Sequence, residues 1–164
     1  MALYDNLGPG DVLQFKPASA HVGLFILRLV LAAAFLDAGL DKLINGFSAF
    51  DYLQNATGPF AGFFSGMAGG INVINPIVIG GEIMIGLGLA FGFLLRLVSL
   101  GGVVMMALYY LPYIPPPEGW VSDLLVYAFI FIALMLSGSG YFFGLDRYFI
   151  NLEQTRNPLR LLFG

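Results

Sequence analysis

Five charged side chains stand inside or at the ends of the first two long apolar runs of this chain. They are Arg28, Asp37, Asp41 and Lys42 in the run at 21–43, and Glu82 in the run at 74–95. A carboxylate in apolar surroundings can exchange protons, and a neighbouring cation can attract an anion or hydrogen-bond a carbonyl oxygen. An ionisable residue within a membrane span is a candidate functional residue, because its burial there costs free energy.

Glu82 is the most informative of these residues. It lies in the stretch "IVIGGEIMIGLG", away from either end of its apolar run. Candidate partners are Arg28, Lys42 or a tyrosine hydroxyl. Two interpretations stay open: a carboxylate that exchanges protons, and a neutral, hydrogen-bonded acid that only fixes the packing.

Helical geometry separates the charges of the first run. Steps of about 100° per residue place Arg28 and Lys42 on one face and Asp37 and Asp41 on roughly the opposite face. A central arginine costs about 2.5–3.5 kcal/mol on insertion scales, so Arg28 either snorkels, forms a structural ion pair or serves function. Lys42 and Asp41 are interpreted as marking the helix end, and Asp37 with Asp41 forms a candidate cation site.

A second set of polar side chains is expected in the third and fourth apolar runs, at 97–113 and 120–137, in the half of each run nearest the loop that joins them. Asp123 and Tyr127 are one helical turn apart and could face Glu82 across a bundle. A cavity lined by carboxylates and aromatic rings could accept a quinone headgroup or pass protons, and Glu82 or Asp123 would exchange the quinone protons. The predicted quinone contacts are Arg28, Lys42, Tyr110 and Tyr127. The alternative for the aromatic residues is an interfacial belt.

The composition indicates a membrane protein and limits its chemistry. The chain is 59% hydrophobic and 10% charged, whereas soluble domains carry about 25% charged residues. It contains no cysteine and one histidine, which excludes disulfides, iron–sulfur clusters and a multi-histidine metal site built by this chain alone. We therefore expect no intrinsic cofactor and no metal, and any redox role would use a bound quinone or a partner. The net charge of -3 argues against nucleic-acid binding.

The apolar runs predict an all-α membrane protein, an antiparallel bundle of four transmembrane helices. The predicted spans are 21–43, 74–95, 97–113 and 120–137, and a span needs about 17–25 residues. The domain assignment is an irregular N-terminal segment at 1–19, the bundle at 20–146 and an amphipathic, interfacial tail at 147–164. The 44–73 loop, rich in phenylalanine and glycine, is expected to lie in the membrane interface.

The distribution of Lys and Arg predicts the orientation of the spans. One side would carry Lys16, Arg96, Arg147, Arg156 and Arg160, and the other side Lys42 alone. Because cytoplasmic loops are enriched in Lys and Arg, we expect a multi-pass plasma-membrane protein with both termini in the cytoplasm. Asn55, in the sequon Asn55-Ala-Thr57 of the outward loop, is a candidate glycosylation acceptor.

Three stretches resemble the DoxX/DoxD family. They are "LRLVLAAAFLDAGLDKL" (27–43), "GGEIMIGLGLAFGFLLRL" (80–97) and "DLLVYAFIFIALMLSGSGYFFGLD" (123–146). The resemblance implies a four-helix membrane protein. DoxD-type members form the membrane subunit of thiosulfate:quinone oxidoreductase with a DoxA-type subunit, and others associate with terminal quinol oxidases. This chain has Tyr141 where many relatives have arginine.

Three functional hypotheses remain. The first is a quinone-interacting subunit of an oxidoreductase or respiratory complex, with no redox centre of its own. The second is a non-catalytic accessory subunit that stabilises a larger membrane complex. A small transporter or proton path is less favoured. Expected partners are other membrane subunits or further copies of the chain, together with lipids.

Overall fold

A computed structural model describes residues 17–117, 119–140 and 144–147, and all regular structure within them is helical. The α-helices are α1 (Pro17–Asn45), α2 (Phe50–Gln54), α3 (Ala61–Met67), α4 (Ile71–Phe91), α5 (Leu95–Tyr110) and α6 (Asp123–Ser137). Short 3-10 turns at Ala68–Gly70 and Leu111–Tyr113 precede α4 and follow α5.

The long helices form a membrane bundle, which confirms the predicted all-α fold class. Ala20–Asn45, Ala61–Phe91 and Leu95–Tyr113 are long and apolar enough to cross a bilayer. The fourth helix, α6, is apolar but has 15 residues, so it is about 22 Å long and shorter than the hydrocarbon core. The most extensive packing joins α1 to α4 and α5 to α6, with α4 against α5 between the two pairs.

Several helix bounds differ from the predicted spans. The second long helix starts at Ile71, before the predicted 74, because the 3-10 turn at Ala68–Gly70 leads directly into the helix. Pro76 lies inside this helix and does not end it. The helix ends at Phe91 since Gly92 adopts a left-handed φ of 61°. The fourth begins at Asp123 rather than 120. The predicted N-terminal segment up to residue 16 and the tail from 148 lie outside the described residues.

The loop predicted to be interfacial forms a small helical layer, which we call the outer cap (residues 46–70). Helices α2 and α3 enclose a core of Ala49, Leu53, Phe64 and Ala68. The cap is tied to the end of α5 because the backbone N–H groups of Thr57 and Gly58 both donate to Pro112 O, at 3.0 and 2.9 Å. The cap therefore covers the end of the bundle where α1 stops and α4 starts.

Close helix packing depends on glycine at the contact points. A Cβ on Gly39 of α1 would lie 2.8 Å from Ile83 Cγ1, and one on Gly102 of α5 would lie 2.4 Å from the Phe131 ring. At the centre, the rings of Phe35 and Phe131 meet edge to face at 5.1 Å. Small residues allow such approach in membranes, where packing rather than hydrophobic burial holds helices together.

Candidate functional site

Glu82 binds two side chains inside the bundle. Lys42 Nζ lies 2.9 Å from both carboxylate oxygens, and the Tyr109 hydroxyl donates to Glu82 Oε1 at 2.8 Å. The Glu82 side chain is 3% exposed and the Lys42 side chain 22%. We call Lys42, Glu82 and Tyr109 the polar triad; it joins α1, α4 and α5.

The close approach of α1 and α4 creates the ion pair. Gly39 packs directly on Ile83 and Glu82 Cβ, and Lys42 lies one turn further along the same face of α1. Its ammonium also donates to Ala38 O at 3.5 Å and lies 5.5 Å from the centre of the Phe47 ring. The interpretation of Lys42 as a marker of the helix end is therefore incomplete, because its side chain turns inward onto Glu82.

An apolar groove of about 820 Å³ runs between α4 and α5 and continues beneath the outer cap. Its capped end is lined by Phe47, Tyr52, Phe64 and Tyr109, and its other end by residues that include Phe93 and Leu145. The middle is lined by apolar side chains and by Gly81, Gly88 and Gly101. The shape and lining suit a long apolar chain.

Tyrosine hydrogen bonds hold the outer cap over Tyr109. The Tyr52 hydroxyl donates to the backbone oxygen of Tyr109, and the Tyr113 hydroxyl donates to Tyr52 O at 3.0 Å. The rings of Tyr52 and Tyr113 lie 4.9 Å apart. These contacts fix α2 beside the polar triad, so the capped end of the groove is bounded by the cap, α4 and α5.

Arg28 lies in a different part of the molecule from Glu82. It is fully buried, its Nη1 donates to Ser139 O at 3.0 Å, and its guanidinium lies 5.1 Å from the centre of the Phe25 ring. Asp146 acts on it electrostatically. Arg28 therefore belongs to a buried cluster at the end of the bundle opposite the cap, and it is not among the groove-lining residues.

Asp146 in this second cluster stabilises the start of α5. Its carboxylate accepts hydrogen bonds from the backbone N–H groups of Leu94 and Leu95, at 2.7 and 3.0 Å. Its own backbone N–H donates to Gly92 O at 3.1 Å, beside the α4–α5 turn. A side chain far along the sequence thus supplies the helix cap, because the N-cap residue Leu94 offers no side-chain hydrogen bond.

The structure does not bring Asp123, Tyr127 or Tyr110 to Glu82. Asp123 and Tyr127 are exposed on α6, which packs along α5. Tyr110 points its hydroxyl to Trp120 O at 3.0 Å. The carboxylate of Glu82 faces Lys42 and Tyr109 instead of the residues of α6.

The remaining candidates lie on the surface of the described part of the chain. Asp37 and Asp41 are exposed on α1, and Asn45 Nδ2 donates to Asp41 Oδ1 at 2.6 Å. No group of three potential metal ligands occurs among the described residues. Asn55 is exposed at the end of α2 in the outer cap.

Tyr109 is the site residue that sequence reasoning did not select. Its neighbour Tyr110 was predicted instead, and the two differ by about 100° around α5. A usable signal exists, because Gly101 and Met105 precede Tyr109 at four-residue spacing and line the same groove. Residues at this spacing share a helix face.

A comparison with protein families finds one matching family model. The family model named DoxX matches residues 23–111, which is more than half of the chain and includes Lys42, Glu82 and Tyr109. The resemblance noted at 123–146 lies beyond the matched range. Searches among curated proteins and solved structures find no match. On the strength of the family match, the protein belongs to the DoxX family of membrane proteins.

Proposed function

We propose that the protein is a quinone-interacting subunit of a membrane oxidoreductase or respiratory complex, with no redox centre of its own. The observation that carries this proposal is the double role of Tyr109. Tyr109 lines the apolar groove, and its hydroxyl binds the buried carboxylate of Glu82. A site with a long apolar groove and a proton-exchanging group at one end matches the chemistry of a quinone with its tail.

The position and lining of the groove would allow a quinone to enter from the bilayer. Its sides are the neighbouring helices α4 and α5, and its lining is apolar apart from the hydroxyls of Tyr52 and Tyr109. A quinone is dissolved in the hydrocarbon, so its tail would lie along the helices and its ring would reach the capped end. The cap would exclude water from the ring, which strengthens its hydrogen bonds.

The polar triad provides the proton chemistry. A quinone that is reduced to a quinol takes up electrons and an equal number of protons, and oxidation releases both. Glu82 would exchange these protons through the Tyr109 hydroxyl, and Lys42, which is 22% exposed, would place a positive charge beside the carboxylate. The electrons would come from, or pass to, the redox centre of a partner subunit.

Filling the groove tests this function. Gly101 lines the groove, and a Cβ there would meet nothing closer than 4.0 Å, so Gly101→Leu adds a side chain without a backbone clash. Gly80→Leu is the matched control, because Gly80 has open space around it and lies outside the groove lining. We expect quinone to co-purify with the wild type and the control in mild detergent, and to be depleted in Gly101→Leu. Absence of quinone from all three, or equal amounts in all three, would contradict the proposal.

One observation favours the accessory-subunit alternative. Asp37 is exposed on α1 although it lies inside a candidate membrane span. Ionisable groups at membrane depth usually face protein or water, so a partner helix with a donor side chain would explain this position. In that case Asp37→Asn would lower the yield of a larger complex, while Gly101→Leu would not change it.

A further inference from the structure

The hydrogen-bond donors at the capped end of the groove are already engaged. In the part of the chain that the structure describes, the polar side chains that line the groove are Tyr52 and Tyr109. The Tyr52 hydroxyl donates to the backbone oxygen of Tyr109, and the Tyr109 hydroxyl donates to Glu82. A tyrosine hydroxyl has one hydrogen, so neither side chain has another to offer a ligand.

Lys42 does not supply a further hydrogen-bond donor to a ligand in the groove. Its ammonium has three hydrogens, and its hydrogen bonds go to both oxygens of Glu82 and to Ala38 O. Lys42 is also absent from the groove lining. What the site presents to a headgroup is therefore an acceptor, the Tyr109 phenol oxygen, whose lone pairs remain available.

This arrangement discriminates between the two redox forms of a quinone. The oxidised form offers carbonyl oxygens, which only accept hydrogen bonds, whereas the reduced form offers hydroxyl groups, which donate. A carbonyl facing the Tyr109 oxygen would be buried without a donor, or would require the Tyr109–Glu82 hydrogen bond to break. Both alternatives carry the penalty of an unsatisfied buried polar group.

We infer that the site binds the reduced quinol in preference to the oxidised quinone, with a quinol hydroxyl donating to the Tyr109 phenol oxygen. The inference rests on the proposed function, since it assumes that the groove holds a quinone. Tyr109 is then the specificity-determining residue, because it passes its own hydrogen to Glu82 and accepts one from the ligand.

A redox titration of bound ligand tests the inference. The probe is decyl-benzoquinone with its quinol, titrated anaerobically with the purified full-length protein in lipid nanodiscs and in empty nanodiscs. We expect the quinol to bind about tenfold more tightly. Tighter binding of the reduced form raises the midpoint potential of the couple by about 30 mV for a tenfold ratio and two electrons.

Two variants assign the preference to Tyr109. Tyr109→Phe removes the acceptor, and we expect both forms to bind with similar affinity and the potential shift to disappear. Tyr110→Phe is the matched control, because the Tyr110 hydroxyl binds Trp120 O and lies outside the groove lining, so its shift should equal that of the wild type. Equal or tighter binding of the oxidised form to the wild type would overturn the inference and leave the proposed function intact. If neither form binds, the inference and the proposed function both fail.

Discussion

Lys42 and Glu82, which lie on different helices, form an ion pair in which Lys42 Nζ is 2.9 Å from both carboxylate oxygens. The pair lies next to Gly39, which packs directly on Ile83 of α4. Helix packing and the proposed chemistry thus depend on the same contact. A change on either side should affect stability and ligand binding together.

The ion pair should show strong energetic coupling. Lys42→Met and Glu82→Gln each leave one partner without its counter-charge, and we expect each to lower the free energy of unfolding by about 3 kcal/mol. The double variant should lose less than the sum, with a coupling energy of about 0.5–3 kcal/mol. Unfolding of all four proteins in bicelles measures this cycle, and simple additivity would show that the pair is not formed.

Alanine substitutions at two neighbouring glycines of α5 should have different effects on stability. Gly102→Ala places a methyl group 2.4 Å from the Phe131 ring, and overpacking of this kind costs about 1–3 kcal/mol. Gly101→Ala meets its nearest atoms at 4.0 Å and should be neutral or stabilising by up to about 1 kcal/mol. Thermal unfolding in one detergent compares them directly. Equal stability of the two variants would contradict the packing of α5 on α6.

Asp146 should stabilise α5 although it lies outside that helix. It is fully buried, and Asp146→Ala removes the acceptor for the N–H groups of Leu94 and Leu95, so we expect a loss of at least about 1–2 kcal/mol. Hydrogen exchange at these two amides should accelerate with it. The exposed Asp41→Ala is the control and should stay within about 0.5 kcal/mol of the wild type. Unchanged exchange in Asp146→Ala would show that the cap is not formed.

The predicted orientation of the spans in the membrane can be measured by labelling single introduced cysteines, because the chain has no cysteine of its own. Asn55 is exposed in the outer cap and Arg147 is exposed near the opposite end of the bundle. An impermeant maleimide added to intact cells should label Asn55→Cys and leave Arg147→Cys unlabelled until the cells are opened. The reverse pattern would place the termini and the cap on the opposite sides.

The sequence was sufficient to predict the fold class and the face of α1 that is buried. The helical spacing of Arg28 and Lys42 predicts a common face, and in the structure Arg28 is buried and Lys42 half-buried, while Asp37 and Asp41 are exposed. The partner set proposed for Glu82 also included Lys42 and a tyrosine. The buried face of α1 follows from periodicity within one helix, which is a local property of the chain.

The remaining features depend on how the helices are aligned with one another. The alignment of Gly39 with Ile83 decides that Glu82 meets Lys42 rather than Arg28. The residue pattern of a single helix does not predict this alignment. The choice of Tyr109 over Tyr110 depends in the same way on the rotation of α5. The outer cap was missed as a helical layer because α2 has 5 residues and α3 has 7, too few for a clear periodic pattern.

In the proposed function, a quinone ring lies at the capped end of the groove, against Tyr109. The most direct measurement is photolabelling of the purified protein in nanodiscs with a quinone that carries an azide on its ring, followed by mass spectrometry of the labelled peptides. We expect labels on the segment from Phe47 to Tyr52 or from Met105 to Tyr109, and their loss in Gly101→Leu. Labels confined to the opposite end, around Phe93 and Leu145, or to the exposed face of α6, would contradict the proposed position of the ring.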